Sequence, residues 1–327
     1  MKPTLIHTHF HKRRTGVTRS IENVLPFFDD KFNSYLFGYG AIGNYITKYQ
    51  LRRILFSNAK VIVHCHRNNE IIRMLIYRAF GAKFTLIATR HAETKPSKLT
   101  FKLLKSANKV ITLIPSMGKK LGIKNTVIGH GVRVDKFFSK DAVTIEQVSQ
   151  ENIILCAGRV REAKGQLVLL EAAKVLQNNL DWALVIVGKV DKPAFLDQLK
   201  AIAIKHKIEK QVYFIKETPE IVSFYQAAKI VVCPSYSEGF SLVTAEAMSC
   251  ECSVIATKNV GVHSSLIKHK ENGYLFEAGN SQQLETILSN KLSGKLPLLG
   301  TQARAEIVKN WSAKKEASEL INLYLSS

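Results

Sequence analysis

Acidic residues are scarce in the first part of this 327-residue chain. Residues 1–135 hold 6 Asp and Glu against 24 Lys and Arg, a net of +18. Residues 136–327 hold 20 against 23, a net of only +3. A basic part beside a near-neutral one suits the first to an anionic surface, lipid or nucleic acid, and frees the second for other work. Long apolar runs are also missing: nothing approaches the roughly 18 continuous apolar residues of a spanning helix. The start, MKPTLIHTHF, has histidines and a proline where a signal peptide needs its apolar stretch, so a cytoplasmic location is expected. Five sparsely placed cysteines, an odd number, exclude a disulfide scaffold (Cys65, Cys156, Cys233, Cys250 and Cys252). No repeat period is visible. The loop from Gly158 to Gly165 matches neither a Walker A sequence nor a GxGxxG fingerprint, so it gives no motif support for an ATPase or a standard dinucleotide enzyme.

What is present is a series of short apolar runs, each followed by a helix-like stretch. Val61 to Val63, Phe84 to Ala88 and Val110 to Ile114 lie in the first part; Ile153 to Ala157, Ala183 to Val187 and Ile230 to Cys233 lie in the second. Continuous β-branched runs without strict alternation suit parallel strands covered on both faces. Between them Gln166–Gln177, Ile221–Ala228 and Leu242–Met248 return apolar residues every three or four positions. The expectation is two doubly wound, Rossmann-like α/β domains facing across a cleft. The charge change and the polar stretch Ser139–Glu151 place them at 1–138, basic, and 139–302. A C-terminal helix, within 303–327 and running over Ala303–Leu325, is expected to pack back toward the first domain.

Loops after parallel strands are where ligands bind. After ILCA comes Gly158-Arg159-Val160-Arg161-Glu162-Ala163-Lys164-Gly165. Gly158 permits a tight turn, and Arg159 and Lys164 put a planar fork and a compact cation before a helix start. A diphosphate fits such a loop; so does a solvated basic turn. After KIVVC comes Pro234-Ser235-Tyr236-Ser237-Glu238-Gly239-Phe240-Ser241, then the apolar helix of Leu242 to Met248 interrupted by Glu246. Glu238 is placed to hold sugar hydroxyls. The amides of Gly239, Phe240 and Ser241 lead into the helix, and Glu246 is expected to face a cleft and receive two neighbouring hydroxyls.

These residues carry a resemblance. RVREAKG and PSYSEGFSLVTAEAM resemble the donor site of retaining GT-B glycosyltransferases of the large family 4 group. The resemblance implies that Glu238 and Glu246 contact the donor sugar and the nucleotide ribose, and that Arg159 and Lys164 hold the diphosphate. It spans most of residues 153–277. SCECSVIAT lacks the familiar glycine after the helix, and Val260-Gly261-Val262 departs from the common paired-glycine loop. In the first domain HTHFHKRRTGVTRS stands where the family has a glycine-rich loop against the donor phosphates, with Gly16 allowing close approach. His91, after the strand FTLIA, resembles the family's active-site histidine. His130 and Arg133 in GHGVRVD resemble an interdomain-loop pair.

Two histidine groups invite a metal reading: the alternating His7, His9 and His11, and His64 with His66. Neither has metal-site spacing with an identified partner cluster, so no metal is expected. No cofactor is expected beyond the nucleotide-sugar substrate. Lys95, Lys98, Lys102 and Lys105 interleave with Leu99, Phe101, Leu103 and Leu104, a pattern of a helix on a membrane or of one packed inward. The pattern as a whole resembles bacterial lipopolysaccharide core mannosyltransferases. That resemblance implies retaining transfer of mannose from GDP-mannose to a membrane-linked lipopolysaccharide core acceptor, with catalytic His91, Arg159, Lys164 and Glu238. The expected partners are the nucleotide sugar, an anionic membrane glycolipid and a peripheral contact at the inner membrane. No nucleic acid and no obligate protein partner are expected. The alternatives are a UDP-sugar-dependent transferase on another glycolipid, a nucleotide-sugar epimerase, and a noncatalytic basic membrane or nucleic-acid binder.

Overall fold

The structure, a computed structural model, describes residues 2–141 and 143–326. Met1, Ala142 and Ser327, which the expected domain ranges included, lie outside them. The chain divides into two compact units: Met1–Arg133 with Trp311–Ser327, and Val134–Asn310. Each is a parallel α/β unit of the Rossmann-like kind.

In the first unit strands and helices alternate: β1 (Thr4–Phe10), α1 (Gly16–Val24), β2 (Asn33–Tyr39), α2 (Lys48–Leu55), β3 (Val61–Cys65), α3 (Asn68–Ala79), β4 (Thr85–Arg90), α4 (Lys98–Lys105), β5 (Lys109–Thr112), α5 (Pro115–Leu121) and β6 (Thr126–Val127). The sheet order is β2-β1-β3-β4-β5-β6, all parallel. The order reverses between β1 and β3, which makes their C-terminal ends a switch point.

The second unit runs β7 (Asn152–Ala157), α6 (Gln166–Ala172), β8 (Trp182–Val187), α7 (Pro193–Lys205), β9 (Val212–Ile215), α8 (Ile221–Ala227), β10 (Ala228–Cys233), α9 (Leu242–Ser249), β11 (Ser253–Thr257), α10 (His263–Leu266), β12 (Tyr274–Phe276), α11 (Ser281–Leu292) and α12 (Gly300–Asn310). Its order is β12-β11-β10-β7-β8-β9. Here the reversal falls between β7 and β10. Every residue of β8 is buried, as a strand covered on both faces requires. All five cysteines are buried and free.

The C-terminal segment is two helices, where one over Ala303–Leu325 was expected. After α12 the helix stops, and α13 (Ala313–Leu325) starts on Ser312, whose hydroxyl accepts from Lys315 N at 3.3 Å. The intervening backbone pairs elsewhere: Val132 N donates to Trp311 O at 2.8 Å, and Ala313 N donates to Val132 O at 2.8 Å. Thus α12 belongs to the second unit and α13 to the first. Ala317, Leu320 and Tyr324 of α13 pack with Leu5, Phe28, Ile62 and Ile87 on one face of the first sheet. Burying each large apolar side chain there contributes roughly 1.5–3 kcal/mol. Gln166–Gln177 also differs from expectation, turning 3₁₀ from Ala173 onward.

Candidate active site

In the second unit, the loops after β7 and β10 leave the sheet side by side at the switch point. They are stitched together by backbone. Tyr236 N donates to Ala163 O at 3.0 Å. Gly165 sits at φ +69°, and a Cβ there would lie 2.0 Å from the carbonyl oxygen of Pro234. Only glycine allows both that conformation and that approach. Lys164 closes a short 3₁₀ turn (Glu162–Lys164) and donates from Nζ to Glu238 Oε1 at 2.5 Å. Ser235 Oγ donates to the same oxygen at 2.7 Å.

Burial pushes the Glu238 carboxyl up, but the charge of Lys164 with the two hydrogen bonds outweighs it and holds the group below 4.5. Its folded value lies under its unfolded one. Its stabilising contribution is therefore complete above pH 4.5 and is lost as the pH falls through the folded value. Glu238→Gln should remove this part of the acid sensitivity of the second unit, read as a flatter dependence of its unfolding midpoint on pH below 4.5.

Arg159 lies in the same loop but holds a different partner. Its Nη1 donates to Asp191 Oδ2 at 3.2 Å, and Gln166 Nε2 donates to its carbonyl at 3.0 Å. Ser241 stands at the N-cap of α9 with φ +61°, a conformation uncommon for a non-glycine residue, while its hydroxyl meets Thr244 Oγ1 at 2.9 Å. Phe240 is buried and Gly239 half-buried. Glu246 is buried on α9 and its Oε2 accepts from Tyr225 Oη at 3.3 Å. The departure from paired glycines has a structural reading. Gly261, at φ +53°, packs so tightly that a Cβ would come within 2.7 Å of Glu238 Cβ.

Sequence reasoning missed His263, which opens α10 just after that loop. Its Nδ1 lies 3.0 Å from Thr257 O, so the ring donates there and leaves Nε2 as an acceptor. That Nε2 is buried and has no hydrogen-bond partner. Burial pushes the ring's pKa down, against an opposing pull from Glu238. A buried, neutral imidazole acceptor beside Glu238 suits a ligand hydroxyl. Its only sequence signal was its place two residues after Gly261.

In the first unit, Gly16 opens α1. The loop before it is exposed from Lys12 to Arg14, and Arg14 pairs with Glu22 at 2.5 Å. Arg67 Nη2 donates to Thr15 Oγ1 at 3.3 Å. His91, directly after β4, lies 3.1 Å from His66 Nδ1 through its Nε2 and 3.2 Å from His130 Nε2 through its Nδ1. His7 and His64 are register partners on β1 and β3, and with His66 they place ring nitrogens within 4.8 Å of one another. Spacing along the chain concealed this grouping because it arises across neighbouring parallel strands. Two buried carboxylates complete it. Glu70 accepts from His66 N at 2.7 Å and Thr8 Oγ1 at 3.0 Å, and Glu316 accepts from Gly131 N at 2.6 Å. On α4 Leu103 and Leu104 are buried and Leu99 is exposed.

Residues 139–310 match the family described as glycosyl transferases group 1. The chain belongs to that family. Over 98% of its length it is 25% identical to a lipopolysaccharide core biosynthesis mannosyltransferase LpcC of Rhizobium leguminosarum bv. viciae, covering 96% of that protein. Its fold matches Anabaena Alr3699/HepE in complex with UDP at a TM-score of 0.84, with 16% identity over 99% of this chain and 100% of the other. The C-terminal domain of an LpcC group 1 glycosyltransferase from Francisella tularensis is 32% identical over 56% of the chain and 99% of that domain, at a TM-score of 0.52. The two parallel lobes are those of a GT-B fold, and the chain is a glycosyltransferase.

One expectation is overturned. GDP-mannose as donor, and with it mannosyl transfer to a lipopolysaccharide core, gives way before the HepE structures, which hold UDP, UDP with glucose, and UDP-glucose. The physical reason lies in what the motifs read. Arg159, Lys164 and Glu238 are suited to phosphate and sugar hydroxyls, which UDP- and GDP-sugars share, and none of them reports the base. Among the described residues no helix is long and apolar enough to cross a membrane.

Proposed function

We propose that this glycosyltransferase moves a glycosyl group, with retention, from a UDP-sugar to a hydroxyl of an anionic membrane glycolipid. The observation that carries the reading is Lys164 against Glu238 at the switch point between β7 and β10. One residue offers a cation for a departing diphosphate and the other a carboxylate for sugar hydroxyls. As the glycosidic bond breaks, negative charge grows on the diphosphate; a preplaced cation lowers that barrier because no solvent has to reorganise. Arg159 adds a bidentate fork on leaving Asp191. The Glu238–Glu246 spacing resembles the retaining group, and the UDP held by HepE favours a uridine carrier. The acceptor class is supported by the basic first unit, where exposed Tyr45, Tyr49 and Phe56 interleave with exposed Lys48, Arg52 and Arg53.

The test presents the purified protein separately with UDP-glucose, other UDP-sugars and GDP-mannose, in vesicles carrying extracted anionic glycolipids. The expected result is a glycolipid mass gain of one sugar from a UDP donor. Glu238→Gln should lower kcat/KM by about 10²-fold, the loss of two charge-assisted hydrogen bonds. Arg159→Ala should raise the donor KM by about 10-fold. Transfer from GDP-mannose alone, or full activity in both variants, contradicts the reading.

A further inference from the structure

Five of the seven histidines of the first unit form one continuous hydrogen-bonded line. Glu316 Oε1 lies 3.0 Å from His130 Nδ1. His130 Nε2 lies 3.2 Å from His91 Nδ1, and His91 Nε2 lies 3.1 Å from His66 Nδ1. His66 Nε2 lies 3.3 Å from His7 Nδ1, and His7 Nε2 lies 3.3 Å from Tyr324 Oη. Tyr324 Oη lies 2.6 Å from His64 Nδ1, and His64 Nε2 lies 2.6 Å from Thr89 Oγ1. His7, His64, His66, His130, Glu316, Tyr324 and Thr89 are all buried.

A neutral imidazole has one N–H and one lone pair, so each ring in such a line must donate on one side and accept on the other. Burial pushes the pKa of His7 down to about 3 and those of His64, His66 and His91 well down, which keeps these rings neutral near pH 7. The line ends on one carboxyl group, that of Glu316, which also accepts from Gly131 N. A carboxylate oxygen accepts only, so the ring of His130 holds a proton on Nδ1, and with that single proton on the ring its Nε2 accepts. His91 is then forced to Nδ1–H, followed by His66 and His7. Tyr324 donates to His7 and accepts from His64, and Thr89 donates to His64. Every ring takes the same tautomer without conflict.

We infer that Glu316 is a positioning residue that imposes one proton polarity on all five histidines and so fixes the ring orientation and Nδ1–H tautomer of His91. This rests on the reading of His91 as an active-site residue only for its consequence in catalysis. The polarity itself follows from the first unit alone. Glu70 supports it by holding the backbone of His66, and Gly131 N holds the second oxygen of Glu316.

Glu316→Gln is the discriminating variant. The amide oxygen must accept from Gly131 N, which turns the NH₂ toward His130 Nδ1. His130 then has to move its proton to Nε2, and the clash of donors passes down the line, so every ring changes to the Nε2–H form. Long-range 15N–1H correlation spectra of the histidine-labelled full chain near pH 7.5 read this directly. The wild type should show His7, His64, His66, His91 and His130 as Nδ1–H, and Glu316→Gln should show them as Nε2–H. Its kcat should fall about 10- to 100-fold, as for loss of an orienting partner behind a reacting group. Should Glu316→Gln fail to fold, Tyr324→Phe cuts the line beyond His7. His7, His66, His91 and His130 should then stay Nδ1–H while His64 loses its acceptor. Mixed tautomers in the wild type, no reversal in Glu316→Gln, or loss of these signals on adding one equivalent of Zn²⁺ overturns the inference. A reversed spectrum with unchanged kcat refutes only the link to His91 chemistry, and absent transfer with the expected spectra refutes the proposed function instead.

Discussion

Acidification from about pH 7 to about pH 4.5 should unfold the first unit while the second remains folded. His7, His64, His66 and His91 all sit in the first unit with pKa values pushed below the ordinary 6.5 by burial, His7 to about 3. The unfolded chain therefore binds more protons than the folded one at every pH between those values. Stability is complete above pH 6.5 and is lost as the pH falls through it. Each such ring contributes a slope of about 1.4 kcal/mol per pH unit, so four give about 5 kcal/mol per unit once the unfolded rings are charged. Two such pH units remove about 10 kcal/mol, the middle of the roughly 5–15 kcal/mol that ordinary domains have. The second unit has one deeply buried ring with a lowered pKa, His263. The two tryptophans separate the responses, since Trp311 belongs to the first unit and Trp182 to the second. Fluorescence of the Trp182→Phe and Trp311→Phe variants should show the Trp311 transition at the higher pH. Coincident transitions, or a Trp311 signal unchanged at pH 4.5, would refute the account of buried neutral histidines.

Gly165→Ala should abolish most transfer and destabilise the second unit by about 3 kcal/mol. Its new Cβ would meet the Pro234 carbonyl, and backbone cannot move aside as a side-chain tip does. The positive φ adds strain of its own. Because the contact joins the loop of Arg159 and Lys164 to the loop of Glu238, relief of the clash separates cation from carboxylate. A displacement of about 1 Å at a reacting centre costs on the order of 10²-fold in rate. Urea unfolding followed through Trp182, together with donor turnover, measures both effects. A variant with normal turnover and a stability loss below about 0.5 kcal/mol would show that the loops are not held by this approach.

Much of the fold was legible because buried parallel strands announce themselves as β-branched runs. Strand β2 was not: NSYLFGY buries only Leu36 fully and carries Gly38, so neither its composition nor its period marks a core strand. Strand β12 was too short to separate from its surroundings. The joint at Trp311–Ser312 was hidden because Ala303–Leu325 keeps a helical rhythm across it, and only the pairing with Val132 breaks it. In the candidate site, Lys164 and Glu238 were legible as parts of two loops. Their meeting, 74 residues apart in sequence, needed the strand order. His7, His64 and His66 were visible but unassembled, since lateral register has no signature along the chain. Glu316 carries no mark in the sequence, since its partners His130 and Gly131 lie 186 and 185 residues away.

The pairing of Val132 with Ser312 has a further consequence for biosynthesis. Residues 134–310 are an insertion in the first unit, whose flanking segments pair through Val132 with Trp311 and Ala313. A nascent chain emerges from its N-terminus. The inserted part is therefore wholly outside the ribosome before Leu320 and Tyr324 arrive to close the first core. Closure of the first core, and of the histidine line that Tyr324 joins, therefore waits for the last turns of α13.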